Sequence, residues 1–337
     1  MNAQRLHRRG MTLPELMVVV AIIGILAVTV LPLLANNRGK NKAREAAELV
    51  IAHLNQTIAN GLSSRSGAAA WYETEASGAG GDAAVVTLAY GRPRPGISGT
   101  ARVTRTSPVT ATIPLSQALA AYVPAPLEFA GVPNRFAVMS VIGGTATISG
   151  TANIGGQNLY RTNFNTIVPD SQTALAYVLH LPPRLRVTAA ASRVPNGMCI
   201  DLASSTIGVN GYPDSTRTAL SLSGCRRLAI VFNKTGRAEA VWYSFTHDDT
   251  TPLWQFCLLD TSTPVALLVG VQVNCVNAYV ASPSDDDPGA NWQNADARWI
   301  VVDPRSSIIK SIETNPRATT VAQSQEFVRR ALKNTIQ

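Results

Sequence analysis

Gly10-Met11-Thr12-Leu13-Pro14-Glu15-Leu16, continued by the apolar run at residues 16–34 (LMVVVAIIGILAVTVLPLL), is the stretch on which the reading of this chain turns. The run holds 19 consecutive uncharged positions. At about 1.5 Å per helical residue it reaches roughly 28 Å, close to one bilayer core. Residues 11–35 are therefore expected to form a membrane-spanning helix. Glu15 stands at its start as a lone carboxylate, directly after a basic leader that holds Arg5, Arg8 and Arg9.

A secretory signal has a shorter apolar core and a small-x-small cleavage site after it, whereas here a Gly precedes the run. A plain anchor has no need of Glu15 at its edge. A carboxylate at the hydrocarbon boundary is costly and marks a function, with a partner to be found. Gly24 and Pro32 are expected to interrupt the helix, because Pro lacks the N–H and Gly costs roughly 1 kcal/mol relative to Ala. The leader arginines stay cytoplasmic, which places everything after residue 34 across the membrane.

These residues resemble the cleavage and methylation signal of type IV prepilins and type II secretion pseudopilins: a basic leader ending in Gly10, then Met11, Thr12, Leu13, a fifth residue Glu15 and an apolar helix. Met11 departs from the usual Phe. The resemblance implies that a prepilin peptidase removes residues 1–10, cutting between Gly10 and Met11, and methylates the new amine. Glu15 of one subunit then pairs with the Met11 amine of its neighbour, so that two charges are neutralised together. Residues 11–35, with Gly24 and Pro32, would form the core of a filament built with other pilins or pseudopilins on an inner-membrane assembly platform. The implied location is a single pass through the bacterial inner membrane with the C-terminal body in the periplasm.

The chain has 337 residues, 46% hydrophobic and 15% charged, which argues for a folded body with little disorder. Three of the eight net positive charges lie in the leader, so the processed chain carries +5. Cys199, Cys225, Cys257 and Cys275 all fall beyond the membrane, where oxidation is permitted, and are read as disulfide-forming. Four cysteines allow three connectivities. The sequential one, Cys199 with Cys225 and Cys257 with Cys275, closes loops of 26 and 18 residues. No C-x-x-C spacing points to zinc or redox chemistry.

Residues 36–62 switch to an amphipathic helix, with Ala43, Ala46, Ala47, Val50, Ile51, Leu54, Ile58 and Leu62 on one face. Residues 63–82, rich in Gly, Ala and Ser, read as a loop around Trp71 and Tyr72. Short β-like runs follow at 83–90, 101–106, 109–114 and 136–149, with a turn or two of helix at 116–122. Further runs lie at 198–202, 228–232, 238–245, 254–259, 265–273 and 299–302. Hairpins are expected at 232–237 and within 299–313, and a short helix at 319–334. The fold class is α+β: a long N-terminal helix, half in the membrane and half packed on an antiparallel β-rich body, in which residues 63–195 are a β-rich region or an insertion and residues 196–337 a disulfide-containing β-rich C-terminal region. The pattern IVFNKTGRAEAV at 230–241, with a later strand pair near the C-terminus, is similar to the GspH/FimT-like minor pseudopilins. That group's globular part is shorter than the roughly 275 residues here.

No G-x-S-x-G, H-E-x-x-H, P-loop or dinucleotide fingerprint is present, so no catalytic residue, cofactor or metal ligand is assigned. His180 and His247 are the histidines left outside the leader and helix. Asp285, Asp286 and Asp287 offer hard oxygen ligands, and major pseudopilins as a family carry a calcium-stabilised loop, but the spaced ligand pattern is missing and a solvated turn explains them. From 83 to 127 the chain has no acid while Arg92, Arg94, Arg102 and Arg105 fall inside it. Arg forks suit phosphates, and Tyr90 beside Gly91-Arg92-Pro93-Arg94 offers a ring for stacking. Some FimT-like pilins bind DNA through a G-R-x-R element near the C-terminus, and this stretch matches it in letters but not in place. DNA uptake is the alternative function.

Overall fold

The computed structural model describes residues 13–75, 83–123, 125–131, 135–149, 153–154, 157–158, 174–187, 190–210, 212, 215, 219–245, 254–259, 263–276 and 289–334; the side chains of Glu15 and residues 24–40 fall outside the description. The chain divides into two units, Met1–Lys42 and Ala43–Gln337. In the first, helix α1 (Leu13–Ser63) begins, and it runs on through Gly24 and Pro32 without the predicted interruption. One proline removes a single bond of the helical ladder, and a helix of 51 residues retains the rest. Among the described residues no helix is long and apolar enough to cross a membrane. Most of the apolar run that predicts the span lies at positions whose side chains are not described.

In the second unit the stalk half of α1 buries the face that its sequence spacing predicts. Ala43, Ala46, Ala47, Val50 and Leu54 are at most 1% exposed, and Leu49, Ile51 and Ile58 pack at the margin of the same core. Leu62 departs from the expectation. It is 58% exposed, because α1 ends one residue later and its last turn lies at the rim, beside Gly236.

The body is β-rich and every strand pair within its sheets is antiparallel. The loop expected over 63–82 contains β1 (Ala68–Glu73), which pairs on one side with β3 and on the other with a distal strand. Ala69, Ala70 and Tyr72 are fully buried. After β2 (Ala84–Val85) and β3 (Thr87–Arg92) come β4 (Ile97–Ala101), β5 (Thr104–Arg105), β6 (Thr110–Pro114), β7 (Ala125–Phe129), β8 (Arg135–Ile142) and β9 (Thr145–Ser149). Residues 136–149, one run in sequence, are thus two strands around a Gly143-Gly144 turn. A two-stranded ribbon, β10 (Asn153–Ile154) and β11 (Gln157–Asn158), precedes β12 (Leu175–Leu179). Strands β4-β12-β7-β8-β9-β6-β5 form one sheet in that order. Its two edges, β4 and β5, are separated by only Arg102 and Val103, which span at most about 11 Å. The sheet therefore curls until its edges nearly meet, around a core of its own that includes Ile113, Leu127, Phe129, Phe136 and Ile148.

The chain then returns to β3 through β13 (Arg184–Leu185) and β14 (Ser192–Arg193), and continues as β15 (Met198–Ile207), β16 (Leu220–Ser221), β17 (Arg227–Phe232), β18 (Ala238–Ser244), β19 (Trp254–Leu258), β20 (Val265–Val271), β21 (Arg298–Val302) and β22 (Ile309–Glu313). Two short helices, α2 (Val321–Ser324) and α3 (Glu326–Lys333), end the described chain. One sheet has the order β13-β3-β1-β17-β18-β19 with β14 also on β3; another runs β16-β15-β20-β21-β22 with β2 on β15. Both sheets therefore combine strands from either side of residue 195. Side chains of β20 alternate between two cores: Val265, Leu267 and Val269 join the core of α1 and the first sheet, while Ala266 and Leu268 face Trp299, Val328 and Leu332. Burial on both faces is why β17, β20 and β21 read as continuous apolar runs.

The hairpin predicted at 232–237 forms as expected. Gly236 takes φ +79°, Gly236 N–H donates to the Asn233 carbonyl and Asn233 N–H to the Arg237 carbonyl, both at 2.9 Å. The second hairpin joins β21 to β22 in register from Arg298–Glu313 to Val302–Ile309.

Candidate functional site

Three places in the molecule collect the residues that the sequence singles out. At the N-terminal end, Gly10 and Met11 lie outside the described residues, and Glu15 lies in the first turn of α1 without a described side chain. Gly24 and Pro32 are backbone positions of the same helix.

The second place is the edge of the first sheet. Antiparallel pairing sets Arg184 directly opposite Arg92 and Leu185 opposite Gly91, and the Arg186 N–H donates to the Tyr90 carbonyl at 2.7 Å. Cross-strand partners and residues two apart share a face, so Tyr90, Arg92, Arg184 and Arg186 project to the same side. Arg94 lies over the Tyr122 ring at 5.3 Å, and burial, then the Arg184 guanidinium, lower its pKa from the ordinary value. Among the described residues none of these four arginines has an ion-pair partner. Their neighbours Arg227 and Arg193 do, with Glu73 at 2.8 Å and Glu75 at 2.5 Å. A cleft of about 540 Å³ opens here, lined by Asn60, Ser63 and Ser64 at the end of α1 and by Tyr90, Arg92 and Arg186 of the sheet. Arg102 and Arg105 lie elsewhere, exposed where β4 passes into β5.

Arg184 and Arg186 escape a reading that stops at residue 127. The signal for them is the repeated spacing, R-P-R at 92–94 and R-L-R at 184–186. Residues 83–187 hold eight Arg, no Lys and two acids, so this segment carries +6 of the chain's +8.

The third place is the start of β15. Cys199 Sγ and Cys275 Sγ are 3.0 Å apart and both are buried. All four cysteines are free thiols in this structure: Cys199 opposes Gly270 in the β15–β20 ladder, and the 3-10 turn Gln272–Val276 folds Cys275 back over it. Cys225 is instead held at the start of β17, its thiol donating to the Arg227 carbonyl at 2.9 Å, and burial pushes it up to about 12. Asp201, fully buried, accepts from Ser204 N–H at 3.2 Å, Ser204 Oγ at 3.0 Å and Asn291 Nδ2 at 3.1 Å. Burial outweighs these bonds and raises its carboxyl to about 6.

Residues 5–31 match the family model for the prokaryotic N-terminal methylation motif. The chain carries a prepilin-type signal. No curated protein and no solved structure matches it. The matched segment spans Gly10, Met11, Glu15 and Gly24 and stops one residue before Pro32.

His180 Nε2 lies 3.4 Å from Glu128 Oε2, each side chain about a third exposed. Among the described residues no hydroxyl or thiol is hydrogen-bonded to that imidazole, so a His–carboxylate pair is present without a nucleophile to activate. His247 and Asp285, Asp286 and Asp287 fall outside the described residues. Among those described, no three His, Cys, Asp or Glu side chains gather as metal ligands.

Proposed function

We propose that this chain is a minor pilin or pseudopilin, GspH/FimT-like in its hairpin pattern, that serves a type IV pilus or a type II secretion pseudopilus. Prepilin peptidase cleaves between Gly10 and Met11 and methylates the Met11 amine. The helix of residues 11–35 anchors the subunit in the inner membrane and then enters the filament core, with the β-rich body in the periplasm. The observation that carries this reading is the motif match over residues 5–31; with the proposed cut after Gly10, Glu15 becomes the fifth residue of the processed chain. The stalk of α1, buried along one face against the first sheet, supports it.

Assembly rests on charge pairing: Glu15 neutralises the Met11 amine of a neighbouring subunit, and neither charge is buried alone. Glu15→Ala is expected to be cleaved and methylated normally but lost from sheared filaments. Normal incorporation of Glu15→Ala would remove the pairing from the account.

The unpaired arginines favour a second reading, contact with DNA during uptake. Like charges set directly opposite on adjacent strands weaken a sheet, so an Arg92–Arg184 pair is better matched to an external anion than to the fold. The expected result is binding of single-stranded DNA that weakens steeply with salt, with a shallower slope in Arg92→Ala/Arg184→Ala. An unchanged slope in that variant would exclude this surface.

A further inference from the structure

We infer that Cys199 and Cys275 are oxidised to a disulfide that clamps the start of β15 to the turn following β20. The two Sγ atoms are 3.0 Å apart, at 0% and 6% exposure. The surroundings are built to hold this approach. Gly270 is the ladder partner of Cys199, and a Cβ there would sit 2.3 Å from Asn291 Oδ1, so only glycine leaves room for the Asn291 side chain. Asn291 in turn accepts from Val271 N–H at 2.8 Å and donates through Nδ2 to the Val271 carbonyl at 3.1 Å and Asp201 Oδ2 at 3.1 Å. The same Nδ2 lies 3.6 Å from Cys275 Sγ. Asp201 stands two residues along β15 from Cys199, on the same face of the strand. Strand, glycine gap, amide and carboxylate thus converge on one pair of thiols.

Two thiols become one disulfide by losing two protons and two electrons, and the acceptor here is the disulfide of a thiol oxidoreductase in the export compartment. A thiolate of the pair attacks that disulfide to give a mixed disulfide. The second thiolate then displaces the oxidoreductase, which leaves as a dithiol. Because both sulfurs are buried in the folded body, the exchange precedes closure of this region. The supply of oxidant rests on the proposed periplasmic location; the choice of partners rests on the geometry alone.

The test is a peptide map of the full-length chain, quenched with iodoacetamide in cells and digested without reductant. The expected product is a cross-linked pair of peptides containing Cys199 and Cys275, lighter by two hydrogens than the separate thiol peptides. It persists in Cys225→Ser and is lost in Cys275→Ser, where Cys199 becomes alkylated. A parallel sample of detergent-solubilised chain is refolded in a glutathione redox buffer. Cross-linking in buffer but not in cells supports the pairing and overturns the periplasmic location. A folded chain with both cysteines alkylated in both samples, or with Cys199 joined to Cys225, overturns the pairing.

Discussion

His53 and Asp201 are buried ionisable groups whose folding linkages run in opposite directions. His53, packed 4.5 Å from the Tyr90 ring and 5.8 Å from that of Tyr72, is lowered by burial to about 4. Its contribution to stability is present above the unfolded value near 6.5 and is lost as pH falls through 4. Asp201, raised to about 6, does the reverse: its contribution is present below the unfolded value near 3.8 and is lost as pH rises through 6. Each is worth on the order of 3 kcal/mol at its limit, so the two slopes nearly cancel between pH 4 and 6. Urea unfolding of the detergent-solubilised chain is expected to show a nearly flat midpoint across that window. Asp201→Asn should lose stability on acidification and His53→Leu should gain it; parallel slopes in the two variants would contradict the assignment. At the sheet edge, Arg92→Glu converts a like-charge pair with Arg184 into an ion pair. It should stabilise the fold by about 0.2–1 kcal/mol while abolishing any salt-dependent DNA binding. A loss of stability instead would mean that the arginines are needed by the fold.

At the scale of elements, the turn from α1 into β1 depends on one residue. Gly67 has φ +77°, and a Cβ there would meet the Phe232 carbonyl oxygen at 2.2 Å, so Gly67→Ala should cost about 2–4 kcal/mol in chemical unfolding, against a few tenths for an exposed position. The stalk helix was legible because Ala43, Ala46, Ala47, Val50 and Leu54 repeat at three and four, and that spacing is itself the packing face. The strand Ala68–Glu73 was not. Three alanines beside a Gly- and Ser-rich stretch carry little β propensity, and the strand is fixed by its pairing with β3 and β17, from sequence positions about 20 and 160 residues away. The curled sheet was legible as separate runs but not as one layer, since its order brings β12 beside β4 across more than 70 residues. Register between distant strands leaves no local trace. For the same reason spacing left three cysteine connectivities open, whereas ladder geometry brings the thiols of Cys199 and Cys275 to 3.0 Å.

For the whole molecule, function is written locally at one end and non-locally everywhere else. The signal at residues 5–31 is contiguous, so the motif was readable without a fold. The arginine edge needed the fold, since Arg92 and Arg184 are far apart in sequence and meet only through the pairing of β3 with β13. Assembly as proposed depends first on the processing of the amino terminus. The measurement that tests it most directly is the intact mass and N-terminal sequence of the membrane-extracted chain from cells with and without prepilin peptidase. The predicted result is a chain that begins at N-methylated Met11 when the peptidase is present and retains residues 1–10 when it is absent. A leader retained in both strains, or a cut falling after residue 34, would contradict it.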